Sequence, residues 1–153
     1  DKWKKAGAFS NIGLAQAEVG DLAGALQTAA RIDKMKVKAP ALTAKMRSKA
    51  RILTAIAGAQ AKEGDRAASA RTFEQARRAA YAIPFIPFLR QDERADALSE
   101  ISQAQARAGD VSGVLTWIGD EISSYVKSFA LLGAAKGLLD RIEVKNSQGT
   151  NEK

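Results

Sequence analysis

The chain has neither cysteine nor histidine. Without cysteine there is no disulfide and no thiol nucleophile, and either redox compartment suits it. With both absent, the common Cys/His zinc sites and imidazole acid–base catalysis are excluded. No apolar run approaches the roughly 20 residues that cross a bilayer. No N-terminal signal pattern is present. The chain opens on Asp1 rather than Met, so a processed or trimmed product is expected. A cytoplasmic and an exported, periplasmic setting both remain open.

What is present is helical in character. The 153 residues are 46% hydrophobic and 27% charged, which reads as one soluble globular domain with a sizeable core. Alanine dominates and strand-forming runs are few, so an all-α chain is expected. A heptapeptide of the form A-Q-A-x-x-G-D recurs at 15–21, 59–65 and 104–110. Its Gly-Asp pairs are Gly20-Asp21, Gly64-Asp65 and Gly109-Asp110, spaced 44 and 45 residues apart. A pattern at near-constant period marks stacked supersecondary units. Each glycine suits the left-handed residue that ends one helix. Each aspartate suits the N-cap of the next. Three tight αα-hairpins follow.

The chain divides into units of about 1–39, 40–83 and 84–121, then a last helix over about 122–142. Residues 1–19 carry Phe9, Ile12, Gln16 and Val19 at helical spacing, and 22–33 carry Leu22, Ala25, Leu26, Ala29 and Ile32. Leu42, Met46, Ala50, Leu53 and Ala57 stripe a helix over about 41–63. Further helices are expected at about 66–82, 89–108 and just after Asp110, the last carrying Val114, Leu115 and Ile118. In the final helix, Phe129, Leu132 and Gly133 echo Phe9, Ile12 and Gly13. Such an atypical last helix suits a cap. Residues 143–153 read as a disordered polar tail.

These features resemble the tetratricopeptide-repeat superfamily. Ile12-Gly13, Ile56-Ala57 and Ile101-Ser102 match its large-then-small pair. Gly20, Gly64 and Gly109 match its turn glycine, and Ala25 and Ser69 its small residue in the second helix. Val114 is less small there, and Phe73 alone supplies the later aromatic. Pro40 and Pro84 are displaced from the family's proline. The period also exceeds the family's 34 or so residues. Gln16, Gln60 and Gln105 replace its usual aromatic. The resemblance implies a right-handed αα-hairpin solenoid of three helix pairs plus a C-terminal capping helix. HEAT and armadillo repeats are the structural alternative. It also implies a concave groove, which by position takes in Ser10, Arg51, Thr54, Lys62, Ser99, Gln103 and Arg107.

Charge is uneven. Residues 31–51 hold eight cations against Asp33 alone, which accounts for the whole net charge of +7. Shifting by 45 residues places Arg47 against Asp92 and Arg51 against Asp96, so these are expected to pair across neighbouring helices. That leaves Lys34, Lys36, Lys38, Lys45 and Lys49 as a basic strip, read either as a solvated edge or as a docking strip for an acidic partner. Nucleic acid fits poorly, because no aromatic is interleaved to stack on bases. Asp92, Glu93, Asp96 and Glu100 lack the glycine-bearing loop of a calcium site. The Ile83–Phe88 linker reads as a plug between units or as an exposed apolar patch. The three glutamines read as amides bonded within the stack, with a ligand-facing ladder as the sharper alternative.

No nucleophile–base pair, metal cluster or phosphate loop points to catalysis, and no metal or cofactor is expected. The expectation is a non-enzymatic scaffold or adaptor that holds a protein partner in its groove. Two alternatives stand beside it. One is a structural accessory subunit of a larger enzyme complex. The other binds an anionic polymer or membrane surface through residues 34–49.

Overall fold

The computed structural model describes residues 2–38, 41–84, 92–121 and 123–149. Among these there are seven helices and no strand. They are α1 (Lys2–Glu18), α2 (Leu22–Asp33), α3 (Ala41–Lys62), α4 (Arg66–Tyr81), α5 (Glu93–Arg107), α6 (Val111–Asp120) and α7 (Ser124–Gly149). The odd-numbered helices pack in series, α1 on α3, α3 on α5 and α5 on α7. Each even-numbered helix lies against the odd helices on either side of it.

The turns explain why reversal needs so few residues. Gly20, Gly64 and Gly109 have φ of 84°, 88° and 95°, values an L side chain resists by roughly 1–2 kcal/mol. This left-handed step folds the chain back on the helix it has just left. The Asp21 N–H donates to the Gln16 carbonyl at 2.8 Å, and the Gly20 N–H to that of Ala17 at 3.3 Å. The same pair of bonds joins Asp65 to Gln60 and Gly64 to Ala61, then Asp110 to Gln105 and Gly109 to Ala106. This six-to-one, five-to-two pattern satisfies carbonyls that the helix end would otherwise leave bare. The aspartates then cap the next helix. Asp21, Asp65 and Asp110 accept from the N–H groups of Gly24, Ala68 and Gly113 at 2.9, 2.9 and 3.0 Å.

Apolar burial is concentrated at the joints. Ala17, Ala25, Ala29, Ile32, Ile52 and Ile56 close α1, α2 and α3 together. Phe73, the largest fully buried side chain, anchors a second cluster with Leu53, Ala76, Ile83, Leu98 and Ile101. Ala106, Val114, Ile118, Ala130 and Ala134 form the third, between α5, α6 and α7. The helical stripes overreach at the edges. Ile12, Val19, Leu26 and Leu115 are exposed. Ile12 lies on α1 and Val19 just past its end, and α1 has odd-helix packing on one side only among the described residues.

The end of the chain departs from its sequence pattern. α7 runs to Gly149, past residue 142, where the apolar pattern ends it. Helical backbone bonds do not require an apolar face, and Ser147 Oγ donates back to the Glu143 carbonyl at 2.9 Å. Residues 150–153 lie outside the described set. The echo of Gly13 in Gly133 does not hold in space. Gly13 faces forward onto Ile52 of α3, whereas Gly133 faces back onto Ser99 of α5. α5 starts at Glu93 rather than near 89, because the Asp92 carboxylate caps the N–H groups of Arg94 and Ala95. Ala39, Pro40 and Phe85 to Phe88 also lie outside the described residues. Of the apolar linker, Ile83 is fully buried.

Glycines serve two purposes here, and substitutions separate them. Gly64→Ala is expected to cost about 1–2 kcal/mol through φ alone, since nothing lies within 4 Å of the added Cβ. Gly64→Asn, which tolerates that φ, should cost less. At Gly133 a Cβ would sit 2.1 Å from the Ser99 carbonyl oxygen. Gly133→Ala should therefore cost about 1–3 kcal/mol by overpacking α5 against α7. Urea unfolding of the three variants checks this. Equal losses for Gly64→Asn and Gly64→Ala would show that φ does not govern the turn.

Candidate functional site

The three glutamines sit where each hairpin closes. Gln105 Nε2 donates to Asp110 Oδ2 at 2.7 Å, and Gln16 Nε2 lies 3.5 Å from Asp21 Oδ2. The carboxylate that caps the second helix is thus held by an amide from the first. The amide oxygens reach further. Gln16 Oε1 accepts from Thr28 Oγ1 at 2.7 Å, across to α2. Gln105 Oε1 accepts from Arg77 Nη1 of α4 at 3.3 Å. Arg77 lies 5.3 Å from the Trp117 ring centroid, so one guanidinium joins α4, α5 and α6. Burial lowers its pKa from the ordinary value, and the nearby Glu74 carboxylate opposes that shift. Gln60 differs. Its Oε1 is buried without a hydrogen-bond partner, because Thr72, placed like Thr28, donates to its own Ala68 carbonyl instead. Gln16 and Gln105 thus bond within the fold.

Two of the five lysines in the basic strip, Lys45 and Lys49, are turned toward the end of α2. Lys45 Nζ donates to the Asp33 and Met35 carbonyls at 2.9 and 3.0 Å, closing the C-terminal end of α2. Lys49 Nζ pairs with Asp33 Oδ2 at 2.7 Å. A cation beside a helix C-terminus meets its bare carbonyls and the negative end of its dipole. The arrangement recurs. Arg94 Nη2 donates to the Ile83 carbonyl beyond α4 at 2.7 Å. Lys127 Nζ donates to the Gly119 carbonyl near the end of α6 at 3.2 Å. Lys34, Lys36 and Lys38 are exposed. The strip is therefore not one continuous surface.

Arg47 reaches Glu93 and, at 3.2 Å, Glu100, rather than Asp92. Asp92 is engaged as the α5 cap. Arg51 does not pair with Asp96, and neither has an ion-pair partner among the described residues.

A groove of about 950 Å³ crosses α1, α3 and α5. Arg51, Thr54, Lys62 and Arg107 line it. Its floor is small, with Ala17, Ala55, Gly58, Ala61 and Ala104, and Glu18, Glu63 and Glu100 add carboxylates to the charge. The other three expected groove residues lie elsewhere. Ser10 is 2% exposed and its hydroxyl has no hydrogen-bond partner. Ser99 is half-buried beside Gly133. Gln103 Nε2 donates to Asp140 Oδ2 of α7 at 3.0 Å. Because α7 packs against this side of α5, Ser99 and Gln103 are withdrawn from a shared surface. Asp140 also accepts from Arg107 Nε at 3.1 Å. The Gln103 amide first, and Arg107 next, hold its carboxyl below the ordinary value. No cluster of metal-ligating side chains occurs among the described residues.

The unequal glutamines give a stability test. Gln105→Met removes the clamp on Asp110 and the acceptor for Arg77, at an expected cost of about 1–3 kcal/mol. Gln60→Met removes an oxygen that has no partner and should be near neutral or stabilising. Urea midpoints measured side by side check the ranking. Equal losses would mean that the amide bonds do not determine it.

Comparison with known proteins gives no further guide: no protein-family model, no curated protein and no solved structure matches the chain.

Proposed function

We propose that the chain is a non-enzymatic interaction module that receives an extended segment of a protein partner in the groove across α1, α3 and α5. The observation that carries this reading is the lining of that groove. Alanines and glycines line it together with Arg51, Lys62, Arg107 and three carboxylates. Small side chains let a partner backbone approach closely, while unpaired cations at the edge favour acidic side chains. Among the lining cations, Arg107 is engaged with Asp140, whereas Arg51 and Lys62 have no ion-pair partner among the described residues. They are the groups that would meet an acidic partner.

On this reading the fold is a right-handed stack of αα-hairpins similar to tetratricopeptide repeats, with α7 as its last layer. Support comes from the thrice-used turn and from the serial packing of α1, α3, α5 and α7. The basic segment 34–49 is the less favoured docking surface, since Lys45 and Lys49 face the end of α2.

Selection from a random-peptide display library tests the groove. The expected ligands are extended peptides with acidic residues. The double variant Arg51→Glu, Lys62→Glu should weaken them at least about tenfold, or 1.4 kcal/mol. Lys34→Glu, Lys38→Glu should leave them unchanged. The reverse outcome would move binding to the basic segment and sink the groove reading.

A further inference from the structure

α7 is apolar on more of its surface than α5 and α6 cover. Its inner face is small where it comes closest to α5. Gly133 and Gly137 bring it so close that an added Cβ would lie 2.1 Å from the Ser99 and Gln103 carbonyl oxygens. Its outer face carries large residues. Leu132 is 60% and Leu139 59% exposed, and Leu131, Leu138, Ile142 and Tyr125 join them. No described element covers this stripe. A contiguous exposed apolar stripe marks an interaction surface.

We propose that this stripe is a dimer interface, and that its occupant is α7 of a second copy of the chain, packed antiparallel. Three observations on α7 point to a second copy rather than a different partner. The first is spacing. Leu132, Ala135, Leu139 and Ile142 alternate by three and four residues, the seam along which two helices pack knobs into holes. The second is charge. Lys136 and Glu143 lie seven residues apart, on one border of the stripe. Antiparallel packing about a two-fold axis brings Lys136 of each copy toward Glu143 of the other, twice per dimer. An isologous interface must be self-complementary in this way. The third is area. Leu131, Leu132, Leu138, Leu139 and Ile142 are 36–60% exposed, an apolar centre for an interface of the kind that buries roughly 800 Å² per partner. The basic surplus does not obstruct pairing, because it lies in residues 31–51, in α2, α3 and the link between them.

Sedimentation velocity over a concentration series tests the proposal. The wild-type chain should sediment as a dimer at about 10 µM, a concentration that resolves micromolar affinity. Leu139→Glu should be monomeric with unchanged helical circular dichroism, since Leu139 is already 59% exposed and belongs to none of the buried clusters among the described residues. Lys136→Glu and Glu143→Lys should each raise the dimer Kd at least tenfold, and the double exchange should restore it. A wild-type monomer throughout would overturn the proposal. So would a Leu139→Glu variant that stays dimeric, or a double exchange that fails to recover. Growth into open-ended oligomers would show that the stripe docks on another face of the next copy, and would overturn it as well.

Discussion

One hydrogen-bonded knot holds each hairpin, and the rest of the fold depends on it. A glutamine ends the first helix by lending its backbone carbonyl to the N–H of an aspartate five residues on. In two of the three turns its side-chain amide also faces that aspartate's carboxylate. The same carboxylate starts the second helix. One aspartate thus closes one helix and opens another, with a single left-handed glycine between them. Such a turn leaves no loose residue in which the helix-to-helix angle can drift. With that angle fixed, α1, α3 and α5 present alanine-rich faces to their neighbours, and the groove on their shared surface is set by the turns rather than by a separate loop.

A second device governs how one hairpin meets the next. Three times, a cation early in an odd helix takes a carbonyl at the end of the preceding even helix: Lys45, Arg94 and Lys127. Each even helix ends with bare acceptors and a partial negative charge, so a cation is the natural stop. This recasts the basic segment. Lys45 and Lys49 tie α3 to the end of α2, and Arg47 ties α3 to α5 through Glu93 and Glu100. Three of the eight cations in residues 31–51 are used in joining helices.

Features confined to one turn of chain were legible in the sequence. The Gly-Asp pairs showed where helices stop and start, because φ preference and N-capping are local chemistry. The glutamines were readable as internally bonded amides for the same reason, though the unpaired Gln60 was not: its difference from Gln16 rests on which way the Thr72 hydroxyl turns. What depends on facing surfaces was read less well. A 45-residue shift set Arg47 against Asp92, but capping α5 competes for that carboxylate and Arg47 moves to its neighbour. Gln103 and Ser99 occupy groove positions by register and lost them to the packing of α7. Both losses had a signal in the sequence, the pair Gly133 and Gly137, four residues apart. It was obscured by the stronger likeness of Gly133 to Gly13.

The placement of glycine and leucine on α7 argues against a purely capping role. A helix that only closed the end of a stack would gain from a polar outer face, since exposed leucines promote association. α7 instead turns Gly133 and Gly137 inward and leaves most of its leucines outward. The inward glycines let the helix sit deep against α5, and the outward leucines then project as a ridge. The groove draws none of its lining from α7. Pairing through that ridge therefore leaves the grooves of both copies open. Two sites held at a fixed separation engage a partner that carries two acidic segments far more tightly than either site alone, by a factor on the order of 10²–10⁴ when the spacing matches. On the proposed pairing, small-residue contacts shape each groove and the large residues on α7 join the two copies.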